Sequence, residues 1–225
     1  MQDISYSVRR SERARRVRVT VDPARGVQVV LPAAAFARGT KGPEREAAAA
    51  ISELRPWIER RVRELTQTRA TVAARGAAVP YLGELLALRA EPRRSRVTRR
   101  GSELVVPCGD ARIPALERWY RRAAHEEIAP RLQRACSLAG TSYSGLTIRG
   151  QRTRWASCSR TGAMSFNWRL LMAPEAVLDY VVWHEVCHLE IADHSHRFWT
   201  LLAERCPDFR EHAHWLRVNG GTLVL

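Results

Sequence analysis

The segment His184-Glu185-Val186-Cys187-His188 constrains this chain more than any other, because it has the pattern H-E-x-x-H. On a helix, side chains four positions apart share a face, so His184 and His188 can present two imidazole rings to one metal ion. Glu185 lies beside them and is the type of residue that takes a proton from a metal-bound water. The pattern therefore predicts a helical metal site that carries its own general base.

The residues before this segment favour a helix whose histidine face points into the protein. Pro174 suits the first position of a helix. The stripe that follows has spacings of 4, 3 and 4 and consists of Val177, Val181, His184 and His188. Because buried histidines need polar partners, a metal ion explains this placement simply.

A third metal ligand is predicted in the loop after the helix. Catalytic zinc has three protein ligands and keeps one position for water. His194 lies ten residues after His184, in a short loop before a helix predicted from His196 to Arg205 with Ser195 as its N-cap. His196, in the first turn of that helix, is expected to face solvent.

Glu204 is the alternative third ligand. The Glu204-x-x-x-Asp208 spacing imitates the ligand and supporting carboxylate of other zinc peptidases. Its separation of 16 residues from His188 is short for that role. The pattern therefore favours His194.

Several motifs around the metal segment occur together. They are Arg152-Thr-Arg-Trp-Ala-Ser-Cys-Ser159, Ser165-Phe-Asn-Trp-Arg-Leu-Leu171, Asp179-Tyr-Val-Val-Trp-His-Glu-Val-Cys-His-Leu189 and Asp193-His-Ser-His-Arg-Phe-Trp199, with weaker pieces at Tyr81-Leu-Gly83 and Trp119-Tyr-Arg-Arg122. Together they resemble the YgjP-like family of zinc metallopeptidases, also described as metal-dependent hydrolases and related to the SprT-like proteases.

The resemblance implies zinc as the cofactor, held by His184, His188 and His194, with Glu185 as the catalytic acid/base. Ala156 stands where the family usually has glycine, and Val186 where it usually has leucine. Both are small apolar changes that affect no catalytic role.

Composition indicates a globular, cytoplasmic protein. The chain has 225 residues, of which 45% are hydrophobic and 27% charged. It contains no apolar run of membrane-spanning length, and its first residues lack the apolar core of a signal peptide. The five cysteines are odd in number and form no C-x-x-C pair, which favours reduced thiols. Cys187 is interpreted as a small core residue.

The net charge of +14 is concentrated in the first hundred residues, which hold 22 Lys+Arg against 10 Asp+Glu; residues 101–225 hold 15 against 13. The positive electrostatic field of these residues favours binding of polyanions. However, 36 of the 37 basic residues are arginine, which indicates a coding bias, and no nucleic-acid-binding motif is present.

A peptide or protein substrate is expected first, with nucleotide or nucleic acid as a second partner. Polyanion affinity is expected in residues 1–107, at a hairpin rim formed by Arg94, Arg96, Arg99 and Arg100. The oligomeric state stays open.

The order of predicted elements indicates an α+β fold. The predicted elements are a hairpin over 16–21 and 27–31, a helix over 43–75, strands at 79–90, 94–98 and 103–107, a helix over 116–139 ending at Gly140, and antiparallel strands at 146–149 and 164–168. A break near 108–115 suggests an N-terminal β-containing α+β region, 1–110, packed on a C-terminal zincin-like domain with the H-E-x-x-H helix, 111–225, unless the two form one continuous domain.

The strand over 163–168 is the candidate edge for an extended substrate, because zincins commonly pair substrate with an edge strand. The alternative is a core strand with Phe166 and Trp168 inside.

The leading function is a zinc peptidase in which Glu185 accepts the water proton and passes it to the leaving nitrogen. Arg152, Arg154 and Tyr180 are candidate oxyanion donors, although Arg154 suits a structural ion pair better. The alternatives are a metal-dependent hydrolase of phosphoanhydrides such as nucleoside triphosphates, and a nucleic-acid-associated protein with a structural zinc. A structural zinc is disfavoured because such sites are usually closed, cysteine-rich sets of four ligands.

Overall fold

The computed structural model describes residues 4–22, 25–37, 42–151 and 153–225, which form a mixed α+β protein. The chain divides into two compact units, Met1–Thr71 and Val72–Leu225. The division lies well before the break near 108–115 that the sequence suggested. The reason is that strand residues such as Val79 and Leu104 share one continuous core with the helices that follow residue 111.

The first unit contains a three-stranded sheet and a long helix. Its strands are β1 (Tyr6–Ser11), β2 (Arg18–Asp22) and β3 (Gly26–Pro32), in the order β1-β3-β2. The predicted hairpin of β2 and β3 is confirmed, although its turn residues Pro23 and Ala24 lie outside the described residues. The sequence did not predict β1, which pairs parallel with β3.

The long helix α1 (Pro43–Ala73) confirms the predicted helix over 43–75. Apolar residues that alternate along β2 and β3 all point to one face of the sheet, because successive side chains of a strand point to opposite faces. They form a core with α1 that consists of Val19, Val27, Val29, Leu31, Ala35, Ala47, Ile51 and Ile58.

The second unit begins with a four-stranded sheet. Its strands are β4 (Ala78–Tyr81), β5 (Glu84–Glu91), β6 (Thr98–Arg100) and β7 (Glu103–Pro107), in the order β4-β5-β7-β6. The strand predicted at 94–98 is shorter and begins at Thr98, because residues 92 and 93 form a turn in which Arg93 has a φ of 60°.

The helix α2 (Arg112–Ala139) follows this sheet and ends where the sequence predicted. Its C-cap Gly140 has the left-handed φ of 65°, a conformation that glycine adopts without steric cost. Arg131, on α2, forms ion pairs with Asp179, with Glu127 of the same helix and with Glu175. The pairs with Glu175 and Asp179 connect α2 to the helix that carries His184 and Glu185.

The sheet beside the metal segment contains β8 (Gly145–Arg149), β9 (Ala156–Cys158) and β10 (Ala163–Asn167), in the order β8-β10-β9. Two sequence predictions for it are wrong. β8 and β10 are parallel, because β9 occupies the antiparallel position next to β10. β10 is therefore the central strand and not the edge.

The alternative prediction of a core strand is confirmed. Phe166 is fully buried, and Trp168, in the short helical turn just after β10, is 1% exposed. The sheet edge on the side of the metal segment is β9.

Three helices complete the second unit: α3 (Glu175–Cys187), α4 (His196–Arg205) and α5 (Phe209–Asn219). α3 begins after Pro174, and α4 begins after Ser195 and ends at Arg205 as predicted. The sequence did not predict α5. Within the described residues, no helix combines the length and the apolar character needed to cross a membrane.

Candidate metal centre

Three histidines converge at the end of α3. His184 lies in the last turn of this helix, His188 is its C-cap, and His194 lies in the loop before α4. Their potential ligand atoms all lie within 4.8 Å of one another, and the Nε2 atoms of His184 and His194 are 3.1 Å apart. Two nitrogens bound to one tetrahedral zinc at about 2.1 Å would lie about 3.4 Å apart, so this separation is close to that expected for a shared metal ion.

The rival third ligand does not join this cluster. Glu204 is exposed on α4 and is not among the residues that converge with His184 and His188. His196 is exposed, as the sequence predicted. Cys187 is buried next to the histidines in sequence but also lies outside the cluster, which agrees with its interpretation as a core residue.

Two neighbours hold the ring of His188. Its Nδ1–H donates to the carbonyl oxygen of Ile191 at 3.0 Å, which leaves Nε2 as the ligand atom. Phe198, fully buried on α4, stacks on the same ring with centroids 4.5 Å apart. The Phe198 ring also lies 5.0 Å from the ring of His184 and 4.8 Å from that of His194, so one side chain contacts all three imidazoles.

The pKa values of two of the three histidine rings are lowered. The pKa of His184 falls to about 4, mainly through burial and also through like-charge repulsion from the nearby His188 and His194. Burial also lowers the pKa of His188. Neutral imidazole is the form that binds metal, so His184 and His188 need lose no proton on binding near neutral pH.

Glu185 lies on α3 with its side chain buried, at 5% exposure. Burial raises the pKa of its carboxyl to about 7, and the backbone N–H of Cys158, on β9, donates to the carboxylate and opposes that rise. Its Oε2 atom has no hydrogen-bond partner among the described residues, and neither has Nδ1 of His184. Since a buried polar atom is normally paired, Oε2 points to a ligand or water molecule that belongs in this space.

These observations test whether a metal ion fits. Three imidazole nitrogens with no fourth protein ligand among the described residues match an open catalytic zinc site better than a closed structural one. The orphaned Oε2 of Glu185 supplies a hydrogen-bond acceptor for a water molecule beside the metal. The residues present therefore fit a divalent metal ion with one position left for water or substrate.

The histidines and Glu185 open into a cleft of about 500 Å³. Its other walls come from β9 with its flanking residues and from the loop before α4. The lining residues outside the histidine cluster and Glu185 are Arg154, Ala156, Ser157, Cys158, Ser159, Arg160, Ala192 and Asp193. The cleft therefore runs along the edge of the sheet.

The backbone of β9 alternates between its partner strand and the cleft. The Asn167 N–H donates to the carbonyl of Trp155, and the Ser159 N–H donates to the carbonyl of Ala163. In an antiparallel pair, hydrogen-bonded residues alternate with residues whose backbone groups point outward. Ala156 and Cys158 therefore face away from β10, and Cys158 uses its N–H to hold Glu185.

The three candidate oxyanion donors have different positions. Arg152 lies outside the described residues. Arg154 is exposed, lines the metal cleft and forms no ion pair within the described part of the chain, contrary to the structural role expected for it. Tyr180 is 8% exposed and packs edge-to-face on the ring of His184, with centroids 5.9 Å apart. A second cavity of about 260 Å³ is lined by both Arg154 and Tyr180 and by His184 and Glu185.

Sequence reasoning missed two parts of the site. Phe198 lies in the helix predicted from His196 to Arg205, but nothing in the sequence shows that its ring packs on histidines. The backbone N–H of Cys158 carries no residue-type signal at all. A role for this strand was indicated only by the family resemblance, in which the motif Trp155-Ala-Ser-Cys158 occurs together with the metal segment.

Comparison with known proteins agrees with this site. The family model described as YgjP-like, metallopeptidase domain matches residues 15–219. No curated protein matches the chain. Among solved structures, the metallopeptidase zymogen of Methanocaldococcus jannaschii jannalysin is 21% identical, with a TM-score of 0.33, and the match covers 39% of this chain and 93% of that one. A likeness this weak carries no argument. The family match spans most of the chain, so the protein belongs to the YgjP-like family of metallopeptidases, which are metal-dependent hydrolases.

Proposed function

We propose that this protein is a zinc-dependent peptidase in which His184, His188 and His194 hold the metal and Glu185 is the general base. One observation carries the proposal: three histidine ligand atoms lie within 4.8 Å of one another, beside a buried carboxyl oxygen that has no partner among the described residues. The metallopeptidase family supports peptide-bond hydrolysis. Zinc is the metal that such an open set of nitrogen ligands suits.

Zinc, when bound, supplies Lewis acidity for the scissile carbonyl and makes a water molecule more acidic. Glu185 accepts a proton from the attacking water at Oε2 and delivers it to the nitrogen of the leaving amine. A pKa of about 7 suits both transfers, because such a group exchanges protons readily near neutral pH. The Cys158 N–H holds the carboxylate while Oε2 stays available to the cleft.

The substrate backbone is proposed to lie along β9. The backbone of Ala156 faces away from β10, and Ala156 lines the cleft. It lies two residues before Cys158, whose N–H donates to the carboxylate of Glu185. An extended peptide can add to such an edge through main-chain hydrogen bonds. Arg154 and Tyr180 border the cavity next to Glu185 and are the proposed oxyanion donors, with Arg152 as a further candidate.

A second candidate function keeps the metal centre but changes the substrate to a phosphoanhydride such as a nucleoside triphosphate. The observation that favours it is that Arg154 and Arg160 both line the metal cleft, where guanidinium groups could bind phosphate oxygens. A nucleic-acid-associated protein with a structural zinc has less support, because the three-histidine set leaves a ligand position open.

The test compares the zinc-loaded wild type with Glu185→Gln on fluorogenic peptides, an unfolded protein substrate and nucleoside triphosphates. We expect peptide cleavage by the wild type and a loss of at least about a hundredfold in the variant, the scale of a general base. Glu204→Gln is the matched control, since it makes the same change on an exposed residue outside the cluster. Wild-type rates in Glu185→Gln would contradict the mechanism, and triphosphate hydrolysis without peptide cleavage would favour the second candidate.

A further inference from the structure

The sheet of the first unit has an outer face that carries arginines in place of apolar residues. The register places Arg9 of β1 and Arg18 of β2 opposite the same residue, Val30 of β3. Directly paired residues on neighbouring strands point to the same face, and strands are about 4.8 Å apart, so the two arginine Cα atoms lie about 10 Å apart across one row. Arg13, in the loop between β1 and β2, joins them around a pocket of about 170 Å³.

This pocket contains positive charge without acidic partners. Its lining residues are Arg9, Ser11, Arg13, Ala14, Arg18, Thr20, Gln28 and Val30, none of which is acidic. Within the described part of the chain, none of its three arginines forms an ion pair.

The acidic residues nearest in sequence are occupied elsewhere. Glu12 pairs with Arg10 at 2.9 Å, and the Asp22 carboxylate accepts from the backbone N–H of Arg25 at 3.0 Å. Guanidinium groups that share a pocket without counter-charge attract an anion.

The four-stranded sheet of the second unit provides an internal comparison. Several arginines on or beside this sheet have acidic neighbours: Arg89 pairs with Glu91 and Glu103, and Arg94 also pairs with Glu91. A general bias toward arginine therefore does not by itself leave arginines unpaired.

Ion pairs also occur at the hairpin rim where the sequence led us to expect polyanion binding. Of its four arginines, Arg94 is paired with Glu91, and Arg99 pairs with Glu84 and lies over the ring of Tyr81. Half of that predicted surface is already neutralised. In contrast, Arg9, Arg13 and Arg18 of the first unit share a pocket and form no ion pair within the described part of the chain.

We propose that Arg9, Arg13 and Arg18 form a binding site for the phosphate backbone of a nucleic acid, separate from the metal centre. Arginine forks match phosphate oxygens, and Ser11, Thr20 and Gln28 add neutral polar groups that can bind the same ligand.

Two features favour a nucleic-acid backbone over other phosphate ligands. The pocket has room for a phosphate group, and no aromatic side chain lines it to stack a base, so recognition is of the backbone and independent of sequence. Arg15 and Arg16, exposed on the same loop, extend the positive field beyond the pocket. This extension favours a chain of phosphates over a single free phosphate.

The test measures binding of a fluorescent single-stranded oligonucleotide to the full chain by anisotropy, over a range of salt concentrations. In the triple variant Arg9→Gln, Arg13→Gln, Arg18→Gln, we expect affinity near 0.1 M salt to fall on the order of a hundredfold. The slope of log K against log salt should become shallower by about 2, since each lost contact with a single strand contributes about 0.7. The matched control, Arg96→Gln, Arg100→Gln, Arg118→Gln, removes the same charge from exposed positions of the second unit and should lose far less.

Several outcomes would overturn the proposal. Equal losses in the two triple variants would mean that only net charge matters, and absence of oligonucleotide binding by the wild type would remove the site. Competition by poly-glutamate as strong as that by an unlabelled oligonucleotide would assign the face to an acidic protein, and saturation by inorganic phosphate at similar concentrations would assign it to a free anion. Melting temperatures of both variants check that the fold is intact.

Discussion

Phe198 stacks on the ring of His188, with ring centroids 4.5 Å apart and planes inclined by only 26°. The same phenyl ring contacts His184 and His194 edge-on. A residue that belongs to the hydrophobic core therefore also limits the orientations that the three imidazoles can adopt. If the three histidines hold a metal ion as proposed, this one side chain should couple stability to metal binding.

Replacing Phe198 by alanine should lower both the stability of the fold and the affinity for zinc. Loss of a fully buried phenyl ring is expected to reduce the free energy of unfolding by about 3–5 kcal/mol. Loss of support for metal-binding rings is expected to weaken zinc affinity about tenfold to a hundredfold. Denaturant unfolding of the metal-free protein and zinc competition with a chromophoric chelator measure the two effects. Phe198→Leu, which keeps apolar volume, should recover most of the stability; unchanged zinc affinity in Phe198→Ala would leave Phe198 a core residue only.

The third metal ligand can be identified by metal content. His194→Ala should lose tight zinc binding, because Nε2 of His194 lies 3.1 Å from Nε2 of His184 within the cluster. Glu204→Ala should keep a full equivalent of zinc, since Glu204 is exposed and outside that cluster. Elemental analysis after dialysis gives the stoichiometry. The reverse pattern, full zinc in His194→Ala and loss in Glu204→Ala, would transfer the ligand role to Glu204.

Local signals in the sequence were sufficient for much of this fold. The end of α2 at Gly140 follows from capping chemistry that acts within a few residues. The limits of α4, from Ser195 to Arg205, also agree with the prediction, although Ser195 forms no side-chain capping hydrogen bond. The convergence of His184 and His188 follows in the same way from helical periodicity. These features depend on residues that are close together in the sequence, which is why the pattern predicted them.

The features of the fold and the site that the sequence did not predict depend on pairing between residues that are distant in the sequence. Nothing local to β10 shows that β9 would occupy its antiparallel side, so its central position was missed. The contact between the Cys158 N–H and Glu185 needs that same arrangement. Likewise, Arg99 pairs with Glu84 only because the β4–β7 sheet brings them together.

Glu185 should lower the stability of the metal-free protein at alkaline pH. Its pKa is raised by burial from 4.5 to about 7, so between these values the native state holds a proton that the unfolded state has released. The contribution of Glu185 to stability is therefore complete below about pH 4.5 and is lost as pH rises through about 7, at a cost on the order of 3 kcal/mol.

This cost disappears when the carboxyl is replaced by a neutral amide of the same shape. In the presence of a chelator, Glu185→Gln should unfold at higher denaturant than the wild type at pH 8, and at nearly the same denaturant at pH 5. Comparison of the two proteins cancels the contribution of His184, whose pKa is lowered to about 4 mainly by burial, because both proteins contain this residue. If the difference in stability between the wild type and the variant were the same at pH 5 and at pH 8, Glu185 would be better solvated than its burial indicates.

Ala156 provides a test of how substrate binds along β9. Its backbone faces away from β10, so proline at this position removes an N–H that the sheet does not use, and edge strands tolerate such a substitution. If a peptide substrate pairs with this N–H, Ala156→Pro should lower kcat/KM about tenfold, the effect of one lost hydrogen bond of about 1.4 kcal/mol. Ala156→Gly keeps the N–H and should retain nearly full activity.

Two further measurements separate this loss of pairing from damage to the site. Zinc content shows whether the histidines are intact, and the pH dependence of kcat shows whether Glu185 keeps its pKa, since Cys158 lies only two residues from the substitution. With both unchanged, a loss confined to Ala156→Pro and carried mainly by KM indicates a backbone contact with substrate. Cleavage by Ala156→Pro at the wild-type rate under subsaturating substrate would mean that the peptide is held by other walls of the cleft.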